Sequence, residues 1–388
     1  MFKILTLNKI AECGTNQLPE DAFTVVAEAE GVNPDGIMLR SYVMSENDLT
    51  PGLLAVARAG AGVNNIPVER CAEKGIVVFN TPGANANAVK EMVIAGLLLA
   101  SRRIIEGVNW AQGMAGQADI AKKVEKGKAA FTGPEVAGKK LGVIGLGAVG
   151  GLVANMGRSL GMHVVGFDPY LSVDAAWSLS RGVRKAASED ALYADCDYIS
   201  VHAPSNDETK HKFNADFFAK CKKGVRILNF SRAELFDNAA LKAAVADGTV
   251  ECYVTDFPTD DLLGCEKVIT IPHLGASTPE SEDNCATMAG EQLREYLLFG
   301  NIKNSVNFPD CELPYTGRKR LCLIHKNVVN VVSSVTSLLS ANGFNIDDMF
   351  NRSKGGYAYT MIDIDGDISD NLKEKLAALD AIIKVRVI

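Results

Sequence analysis

Residues 140–168 read KLGVIGLGAVGGLVANMGRSLGMHVVGFD, and this stretch decides the fold of the chain around it. An apolar, β-prone run at Leu141–Ile144 leads directly into a glycine turn at Gly145–Gly150, behind which a helical pattern opens. A second β-run, His163–Phe167, ends in Asp168. Strand, glycine turn, helix, strand and acid in this order form the dinucleotide-binding fingerprint. The stretch therefore predicts a doubly wound α/β domain that binds a dinucleotide.

Each glycine of the turn has a physical role. Gly145 permits the tight turn, Gly147 lets the backbone approach a pyrophosphate, and Gly150 lets the helix pack closely on the strand. The phosphates would lie at the helix N-terminus, where free N–H groups and the helix dipole favour anions. Asp168 would accept hydrogen bonds from a ribose diol and repel a 2′-phosphate, which predicts NAD rather than NADP. A glycine-rich turn in another kind of α/β protein is the alternative.

The composition sets outer limits on the function. The chain has 388 residues, enough for two or three domains. Hydrophobic residues make up 47% and charged residues 22%, which is typical of a folded globular protein. A net charge of −7 argues against general nucleic-acid binding, but it allows a local basic pocket for an anionic substrate.

Cysteine usage and apolar run lengths predict a cytoplasmic protein. The nine cysteines form no CxxC pair and are odd in number, so we expect buried free thiols in a reducing compartment, with no zinc site and no disulfide framework. The N-terminal MFKILTLNKI reads as a first β-strand, since its apolar run is too short for a signal peptide. Stretches such as Met92–Ala100 are far shorter than a membrane span.

Alternating apolar runs and helical stretches predict two α/β domains with mostly parallel sheets. Predicted strands outside the fingerprint are Lys3–Leu7, Gly36–Leu39, Leu54–Ala59, Ile76–Asn80, Tyr198–His202, Val225–Phe230, Tyr253–Asp256 and Val268–Ile271. Long helices are predicted at Ala88–Gly107 and Glu280–Phe299. We expect the second of these helices to return the chain to the first domain. Residues 1–88 and 284–310 would then form one discontinuous domain, and residues 89–283 the NAD-binding domain.

The C-terminal part predicts a third domain at residues 318–388. A polar linker with proline and glycine, Asp310–Lys319, precedes it. Its predicted elements, in the ferredoxin-like order βαββαβ, are Arg320–Ile324, Val328–Ala341, Phe344–Asn351, Tyr357–Ile364, Ser369–Leu379 and Ile382–Val387. The first of its helices is too apolar to stay solvated, so we expect it to pack against a sheet or another subunit.

Oxidation of an alcohol with NAD needs a base, a partner that holds the base, and a cation that polarises the oxygen. Arg232 in NFSRAEL, His273 in PHLGAST and the acids Asp256, Asp260 and Asp261 in DFPTDDLLG each follow a predicted strand. Open α/β sheets build their sites beyond the carboxyl ends of strands, which favours a shared site. A structural histidine, a surface arginine and a solvated acidic turn are the alternatives for each group taken alone.

In this order and spacing, these motifs resemble those of the D-isomer-specific 2-hydroxyacid dehydrogenases. LRSYV with Arg40 and Ser41, RAGAGVNNI at Arg58–Ile66 and FNTPGANANAVKE at Phe79–Glu91 extend the likeness through the first domain. The resemblance covers essentially the whole chain. It implies two Rossmann-like domains, NAD, and hydride transfer at C2 of a 2-hydroxy acid. Within the family, the chain is similar to members that oxidise 3-phospho-D-glycerate to 3-phosphooxypyruvate at the start of L-serine biosynthesis.

The resemblance also implies catalytic roles. His273 would be the acid/base on the C2 hydroxyl, and Asp260 would hydrogen-bond to it and raise its pKa. Arg232 would bind the substrate carboxylate and polarise C2. Asp260 replaces the family's usual glutamate in a segment that is one residue shorter, so Asp261 stays open as the partner. Ala233 replaces the usual glycine after the arginine, and we expect a small shift of that loop.

The remaining site residues follow from the same likeness. Backbone N–H groups near Ala61–Gly62 would assist with the substrate carboxylate, and Arg40 and Ser41 would contact its phosphate. The positions that would line the cofactor are Gly145, Gly147, Ala148, Val149, Gly150, Asp168, His202, Ala203, Pro204, Phe230, Ser231, Asp256, Gly275, Ala276, Ser277 and Thr278.

The tail pattern IHKN…NGFNI resembles an ACT domain, a small-molecule sensor. His325, Asn327 and Asn345 match positions that bind serine in related enzymes. Val329-Asn330 replaces the family's Pro-Gly, whose backbone angles are special, so the serine-binding turn is expected to differ. A purely dimerising tail is the alternative.

Together these observations predict an NAD-dependent oxidoreductase for a small phosphorylated hydroxy acid, assembled as a homodimer or homotetramer, with L-serine as a candidate effector and no metal, nucleic-acid or membrane partner. The first alternative is a reductase of an unphosphorylated acid such as glyoxylate or hydroxypyruvate. The second is a non-catalytic NAD sensor that binds partner proteins, which the joint presence of Arg232, an acid and His273 disfavours.

Overall fold

A computed structural model describes residues 1–27 and 31–388. The chain forms two compact units, the first made of residues 1–85 and 279–388 and the second of residues 86–278. The chain therefore leaves the first unit once and returns to it.

The N-terminal part of the first unit is a parallel five-stranded sheet in the order β2-β1-β3-β4-β5. Its strands are β1 (Phe2–Leu7), β2 (Phe23–Ala27), β3 (Gly36–Leu39), β4 (Ala55–Arg58) and β5 (Val77–Phe79). Two short helices connect them, α1 (Glu12–Thr15) and α2 (Val68–Glu73). β3 is buried along its whole length, as expected for a parallel strand covered on both faces.

The second unit contains a seven-stranded parallel sheet in the order β12-β11-β10-β9-β6-β7-β8. Its strands are β6 (Lys140–Ile144), β7 (His163–Phe167), β8 (Arg184–Lys185), β9 (Tyr198–Val201), β10 (Val225–Asn229), β11 (Val250–Thr255) and β12 (Val268–Thr270). The order reverses between β6 and β9, which is the doubly wound topology predicted from the fingerprint. Ligands of such sheets bind at the carboxyl ends of the strands near this switch point.

The helices of this unit are α3 (Ala86–Arg102), α4 (Ile104–Gln112), α5 (Ile120–Gly127), α6 (Ala148–Ser159), α7 (Val173–Trp177), α8 (Glu189–Asp195), α9 (Ala215–Lys220) and α10 (Asn238–Ala246). Most of them cover the faces of the sheet, whereas α4, α5 and α7 have no buried residue. The prediction of one continuous helix over Ala88–Gly107 is wrong, because α3 ends at Arg102 and Arg103 has a left-handed backbone with φ of 47°. Such a residue cannot continue a right-handed helix, so α4 starts as a separate element.

The chain then re-enters the first unit through α11 (Pro279–Phe299) and ends in an antiparallel four-stranded sheet in the order β14-β15-β13-β16. The C-terminal elements are β13 (Lys319–Lys326), α12 (Val331–Ala341), β14 (Ile346–Lys354), β15 (Tyr357–Ile364), α13 (Asp370–Ala377) and β16 (Ile382–Val387). The predicted βαββαβ order is confirmed. The apolar side of α12 packs on this sheet, with Val335 and Leu339 buried.

The C-terminal sheet shares an apolar core with the N-terminal sheet and α11. Ile4, Phe79, Tyr296, Cys322 and Tyr359 are all at most 2% exposed within it. The described chain therefore has two compact units, and the division of the first into two domains stays a prediction.

Two arginines, the buried Arg320 and the partly buried Arg386, attach the C-terminal sheet to the end of α11. Arg320, fully buried, pairs with Asp363 and donates to the carbonyl oxygen of Phe299 at 2.8 Å. Arg386 donates to the Tyr296 carbonyl at 3.2 Å, and its guanidinium lies 4.5 Å from the centre of the Tyr296 ring. Cations at a helix C-terminus satisfy its unpaired carbonyls, so the sheet and α11 stabilise each other.

Candidate active site

The glycine turn after β6 has the geometry that its sequence predicts. Gly145 has a positive φ of 83°, and a Cβ there would lie 2.6 Å from the carbonyl oxygen of His202. A Cβ at Gly150 would lie 1.8 Å from the carbonyl oxygen of Gly145. Since real Cβ atoms do not come this close to backbone, both positions require glycine for the fold itself.

Gly147 is different, because a Cβ at this position would meet no protein atom within 4 Å. The residue caps α6 with an ordinary φ of −70°, so the fold alone does not require glycine there. The first-turn N–H groups of Ala148 and Val149 have no acceptor within the helix. A free helix N-terminus behind an open glycine is the arrangement that a pyrophosphate group needs, so these residues fit the phosphates of a dinucleotide.

Asp168 is held firmly at the end of β7. Its Oδ2 accepts a hydrogen bond from the N–H of Leu146 and its Oδ1 one from the N–H of Tyr170, both at 2.8 Å. Each carboxylate oxygen has a further lone pair, so the group can still accept from ribose hydroxyls. Its negative charge beside the glycine turn favours NAD over a cofactor with a 2′-phosphate.

The His202–Pro204 segment lies beyond β9, next to β6 in the sheet. His202 Nε2 is 2.8 Å from the hydroxyl of Ser200, and burial lowers the pKa of His202 to about 4. The imidazole is therefore neutral at physiological pH. The hydroxyl of Ser231 donates to the Val201 carbonyl at 2.7 Å, which connects this segment to the Phe230–Ser231 turn.

Three of the predicted groups follow three neighbouring strands. Arg232 comes after β10, Asp256 directly after β11, and His273 after β12. Because these strands are parallel, the three residues share the carboxyl edge of the sheet. The charges of His273 and Arg232 both act to lower the pKa of Asp256, which places each of them within electrostatic reach of Asp256.

Asp256 is the buried member of this group, with 1% of its surface exposed. Burial raises the pKa of its carboxyl, and the N–H of Gly275, which donates to Oδ2 at 3.0 Å, opposes that rise. Its Oδ1 is buried and has no hydrogen-bond partner within the described residues. A buried acceptor without a donor costs free energy, so this oxygen fits an N–H group of a bound cofactor.

Arg232 is positioned by an asparagine that sequence reasoning missed. Asn229 is fully buried at the end of β10, and its Nδ2 donates to the Arg232 carbonyl at 2.9 Å and to the Tyr253 hydroxyl at 3.0 Å. Its Oδ1 accepts from the N–H of Ser231 at 3.1 Å. An amide as the last residue of an apolar strand was the available signal. Ala233 is the first residue of a short 3₁₀ turn and its φ is not positive, so alanine fits there without backbone strain.

His273 has an exposed side chain, and its ring lies 4.8 Å from the ring of Phe257. Within the described residues, no hydrogen bond or ion pair connects it to Asp260 or Asp261. Asp261 instead accepts from Thr259 at 2.7 Å and from Asn238 at 3.0 Å and pairs with Lys242, and these contacts lower its pKa. Asp261 is therefore bound to side chains of α10. The carboxylate that lies near His273 is that of Asp256.

The turn after His273 is short and internally bonded. The N–H of Ser277 donates to the Leu274 carbonyl at 3.0 Å, and that of Thr278 to the Ala276 carbonyl at 3.1 Å. Gly275 is buried against Asp256, where a Cβ would lie 2.8 Å from Oδ2. The close approach that lets Gly275 bind Asp256 thus requires glycine.

In the first unit, the predicted substrate contacts follow β3 and β4, which are also neighbours. Arg40 Nη1 forms an ion pair with Glu282 Oε1 of α11 at 2.7 Å, and the two side chains are 40% and 46% exposed. Ser41 is exposed, with its N–H bound to Asn8 Oδ1 at 3.0 Å. The Ala61 carbonyl accepts from Asn80 Nδ2 at 2.6 Å, and Gly62 follows it half-buried.

Polar side chains that the sequence analysis did not single out hold these two loops together. The Arg40 carbonyl accepts from Arg58 Nε and from Asn65 Nδ2, each at 3.1 Å. Asn8, whose φ is 73°, accepts from the N–H groups of Ser41 and Tyr42. Asparagines tolerate this left-handed backbone and cap loops, so the Asn-rich loop sequences carried a signal.

The three candidate effector residues are not brought together within one chain. His325 is 3% exposed on β13, with its ring nitrogens bound to the Lys326 carbonyl and the Thr360 hydroxyl, each at 2.8 Å. Asn327 follows the β13 end that pairs with Tyr357, and Asn345 precedes the β14 end that pairs with Ile364. These ends are about 20 Å apart along the strands.

The turn between β13 and α12 has a left-handed residue at the position where related ACT domains have glycine. Asn330 has a φ of 68° and caps α12, and asparagine tolerates this conformation better than most residues. Val329, just before it, is 86% exposed. The expected alteration of this turn thus lies in the exposed valine side chain.

The described residues contain neither a cluster of metal-binding side chains nor a helix that could span a membrane. In residues 1–27 and 31–388, no three His, Cys, Asp or Glu side chains converge as metal ligands. Among the helices described, none combines the length and the apolar character that crossing a membrane requires.

Residues 94–275 match the model of the NAD-binding domain of D-isomer specific 2-hydroxyacid dehydrogenases. This match contains the glycine turn, Arg232, Asp256 and His273. Residues 94–275 therefore form an NAD-binding domain of this family. The resemblance seen in the sequence motifs is confirmed, and so is the α/β fold class with its two kinds of sheet.

Two named proteins and one crystal structure are similar to most of this chain. The chain is 33% identical over 326 residues to D-3-phosphoglycerate dehydrogenase of Bacillus subtilis, a match that covers 80% of this chain and 59% of that protein. It is 29% identical to the D-3-phosphoglycerate dehydrogenase of Haemophilus influenzae, covering 91% and 86%. The chain thus spans less than two thirds of the length of the Bacillus relative. The NAD⁺-bound crystal structure of 3-phosphoglycerate dehydrogenase from Entamoeba histolytica is similar, with a TM-score of 0.60, 25% identity, and coverage of 79% of this chain and 98% of that one.

Proposed function

We propose that the protein is an NAD-dependent D-3-phosphoglycerate dehydrogenase that converts 3-phospho-D-glycerate and 3-phosphooxypyruvate into one another. The observation that carries the proposal is the placement of Arg232, Asp256 and His273 at the carboxyl ends of β10, β11 and β12, in the same sheet as an open dinucleotide turn. The names of the Bacillus, Haemophilus and Entamoeba relatives support the choice of substrate.

His273, Arg232 and Asp256 have different roles in this reaction. NAD, when bound, supplies the acceptor for a hydride from C2 of the substrate. His273 takes the proton of the C2 hydroxyl, which its exposed imidazole can reach. Arg232 binds the carboxylate of the substrate with its guanidinium fork, a geometry that suits planar carboxylates. Asp256 fixes the turn behind His273 by accepting a hydrogen bond from the N–H of Gly275.

We infer that Arg40 and Ser41 bind the phosphate, with the Ala61–Gly62 backbone near the carboxylate. The Arg40 side chain is 40% exposed, so a substrate phosphate can reach its guanidinium, but the guanidinium is paired with Glu282. The same pair favours a second candidate function, a reductase of unphosphorylated 2-hydroxy acids. A carboxylate beside Arg40 would repel a phosphate and satisfy the arginine without one.

The test compares kcat/KM for 3-phospho-D-glycerate and for D-glycerate in the wild type and in Arg40→Ala. We expect Arg40→Ala to lower kcat/KM about tenfold to a hundredfold for the phosphorylated acid only. A decrease of this size corresponds to the loss of one or two charge-assisted hydrogen bonds. Arg70→Ala is the matched control, since Arg70 is bound to Glu46 and Glu73 on the surface. Equal loss for both acids would overturn the phosphate assignment, and a wild-type preference for D-glycerate would establish the second candidate.

For the assembly we infer a homo-oligomer. The support is α4, which has no buried residue although Ile104, Ile105 and Val108 are apolar and 43%, 39% and 51% exposed. Apolar surface of this kind is typical of a subunit interface. Analytical ultracentrifugation of the wild type and of Val108→Asp would test this.

Two further inferences concern regulation and location. We propose L-serine as an effector that binds between the C-terminal sheets of two chains, at Asn327 of one chain and Asn345 of the other, because these residues lie about 20 Å apart within one chain. Titration of L-serine into the activity assay tests this proposal. We infer a cytoplasmic location, since the nine cysteines are free thiols, most of them buried, as is typical of a reducing compartment.

A further inference from the structure

A basic cavity lies at the amino-terminal edge of the second unit's sheet. It encloses about 590 Å³. Its charged lining consists of Lys140, Arg158, Arg181, Arg184 and Asp195, and His163 lies beside them. These residues come from β6, α6, β7, the loop before β8, β8 itself and α8. Several separate segments thus converge to concentrate positive charge, although the whole chain has a net charge of −7.

The strand register places three of these side chains on one face of the sheet. Lys140 on β6 pairs directly with His163 on β7, and Val165, two residues on, pairs with Arg184 on β8. Because residues two apart on a strand point to the same side, Lys140, His163 and Arg184 line the same face. The cluster is therefore a consequence of sheet pairing and does not depend on flexible loops alone.

Arg158 of α6 is also held in place by its neighbours. Its Nη1 donates to the Met162 carbonyl at 2.7 Å. A Cβ at Gly182 would lie 2.3 Å from Arg158 Nε, so glycine at this position makes room for the guanidinium. Gly182 has an ordinary backbone and is flanked by Arg181, which brings two arginines to one point of the cavity.

The positive charge of the cavity is only partly neutralised. Asp195 is the carboxylate among the described lining residues, and it forms an ion pair with Lys140. In the described chain no carboxylate lies in ion-pair contact with Arg158, His163, Arg181 or Arg184. Uncompensated arginines around a concave surface attract multivalent anions, and their planar forks suit phosphate oxygens.

We propose that this cavity binds a compact multivalent anion of the phosphate class, at a site separate from the catalytic one. The catalytic groups lie at the carboxyl ends of the strands, whereas Lys140 and His163 are the first residues of β6 and β7. The two sites thus occupy opposite edges of one sheet. The proposal is independent of the proposed reaction, because it assigns these arginines no part in it.

The test is isothermal titration of the full-length protein with inorganic pyrophosphate, in saturating NAD so that the dinucleotide site is filled. Arg184→Ala is expected to weaken pyrophosphate binding about tenfold, and Arg181→Ala by a similar factor. Lys185→Ala is the matched control, because Lys185 carries the same charge on the same strand but on the opposite face, and it should bind as the wild type does.

Inorganic phosphate and sulfate are titrated in parallel to distinguish the sources of the anion. Tighter binding of pyrophosphate than of either supports a site for a diphosphate or a metabolite with two phosphoryl groups, and equal binding of phosphate supports a monophosphate. Equal weakening by Arg184→Ala and Lys185→Ala, or complete loss of binding at 0.15 M KCl, would show general surface attraction and overturn the proposal. Binding of a short DNA duplex without binding of small anions would also overturn it.

Discussion

The backbone N–H of Gly275 donates to Oδ2 of Asp256 at 3.0 Å, which connects the end of β11 to the turn that follows His273. Gly275 can come this close because it has no side chain. A buried carboxylate thus fixes the position of an exposed imidazole through the backbone. The other carboxylate oxygen stays available for a cofactor.

Asp256→Asn is expected to raise the stability of the protein at pH 7 while lowering its activity. Burial raises the folded-state pKa of Asp256, so the charged wild-type group costs stability once the pH exceeds that pKa. The neutral amide avoids this cost and can still accept from Gly275. The gain in unfolding free energy, measured in urea from pH 7 downward, should shrink toward about pH 4 as the wild-type carboxyl also becomes neutral.

The same variant should lose NAD-dependent turnover about tenfold or more, because the charge near His273 and the acceptor for the cofactor are both altered. Thr255→Ser is a control that leaves the carboxylate in place. An Asp256→Asn protein that is less stable than the wild type at pH 7, with unchanged turnover, would contradict the role given to this residue.

Gly147→Ala and Gly150→Ala should separate cofactor binding from folding. At Gly147 the added methyl group meets no protein atom, so the melting temperature should stay within about 2 °C of the wild type. It would occupy the approach to the pyrophosphate, so the Kd for NAD should rise about tenfold or more. At Gly150 the methyl group would strike the Gly145 carbonyl, so this variant should be strongly destabilised.

Calorimetry for stability and fluorescence titration of NADH for binding measure both effects. Gly356→Ala serves as the control, since a Cβ there also meets nothing within 4 Å. Unchanged NADH affinity in Gly147→Ala would show that the pyrophosphate lies elsewhere.

Replacement of the two exposed acids should decide which of them assists His273. Asp261 is bound to Asn238, Thr259 and Lys242, so Asp261→Ala should lower the stability of the protein slightly and leave kcat within twofold. Asp260 makes no hydrogen bond within the described residues, so its carboxylate is not bound to another group as that of Asp261 is. Asp260→Ala should lower kcat about tenfold and shift the pH profile of kcat/KM, whereas Asp260→Glu, which restores the residue usual in the family, should retain activity.

A profile that moves in Asp261→Ala but not in Asp260→Ala would reverse the assignment. If neither variant has an effect, Asp256 alone supports the histidine.

The sequence predicted the elements whose pattern is local. The glycine turn and the β-runs around Asp168 were predicted because turn, helix and strand each leave a mark within a few residues. The βαββαβ order of the tail was predictable for the same reason. The break after Arg102 was not predictable, because an arginine such as Arg103 gives no sign in the sequence of a left-handed backbone.

Contacts between distant segments were the least predictable part of the site. Asn229 and Asn65 donate side-chain hydrogen bonds to residues 24 and 25 positions away, so the asparagines were visible in the sequence but their partners were not. The pairing of Arg40 with Glu282 joins residues 242 positions apart, so only the fold could show it. The placement of Asp256 near His273, rather than Asp260, depends on the strand order β10-β11-β12.

The most direct test of the whole account is the rate at which NADH forms from NAD and 3-phospho-D-glycerate, for the wild type and for His273→Ala. The wild type should turn over at a rate typical of enzymes, about 1 per second or faster, and should prefer NAD to NADP. His273→Ala should lose about a hundredfold to ten-thousandfold in kcat and still bind NADH as the wild type does. Equal turnover in the two proteins, or no NADH formation by the wild type, would contradict it.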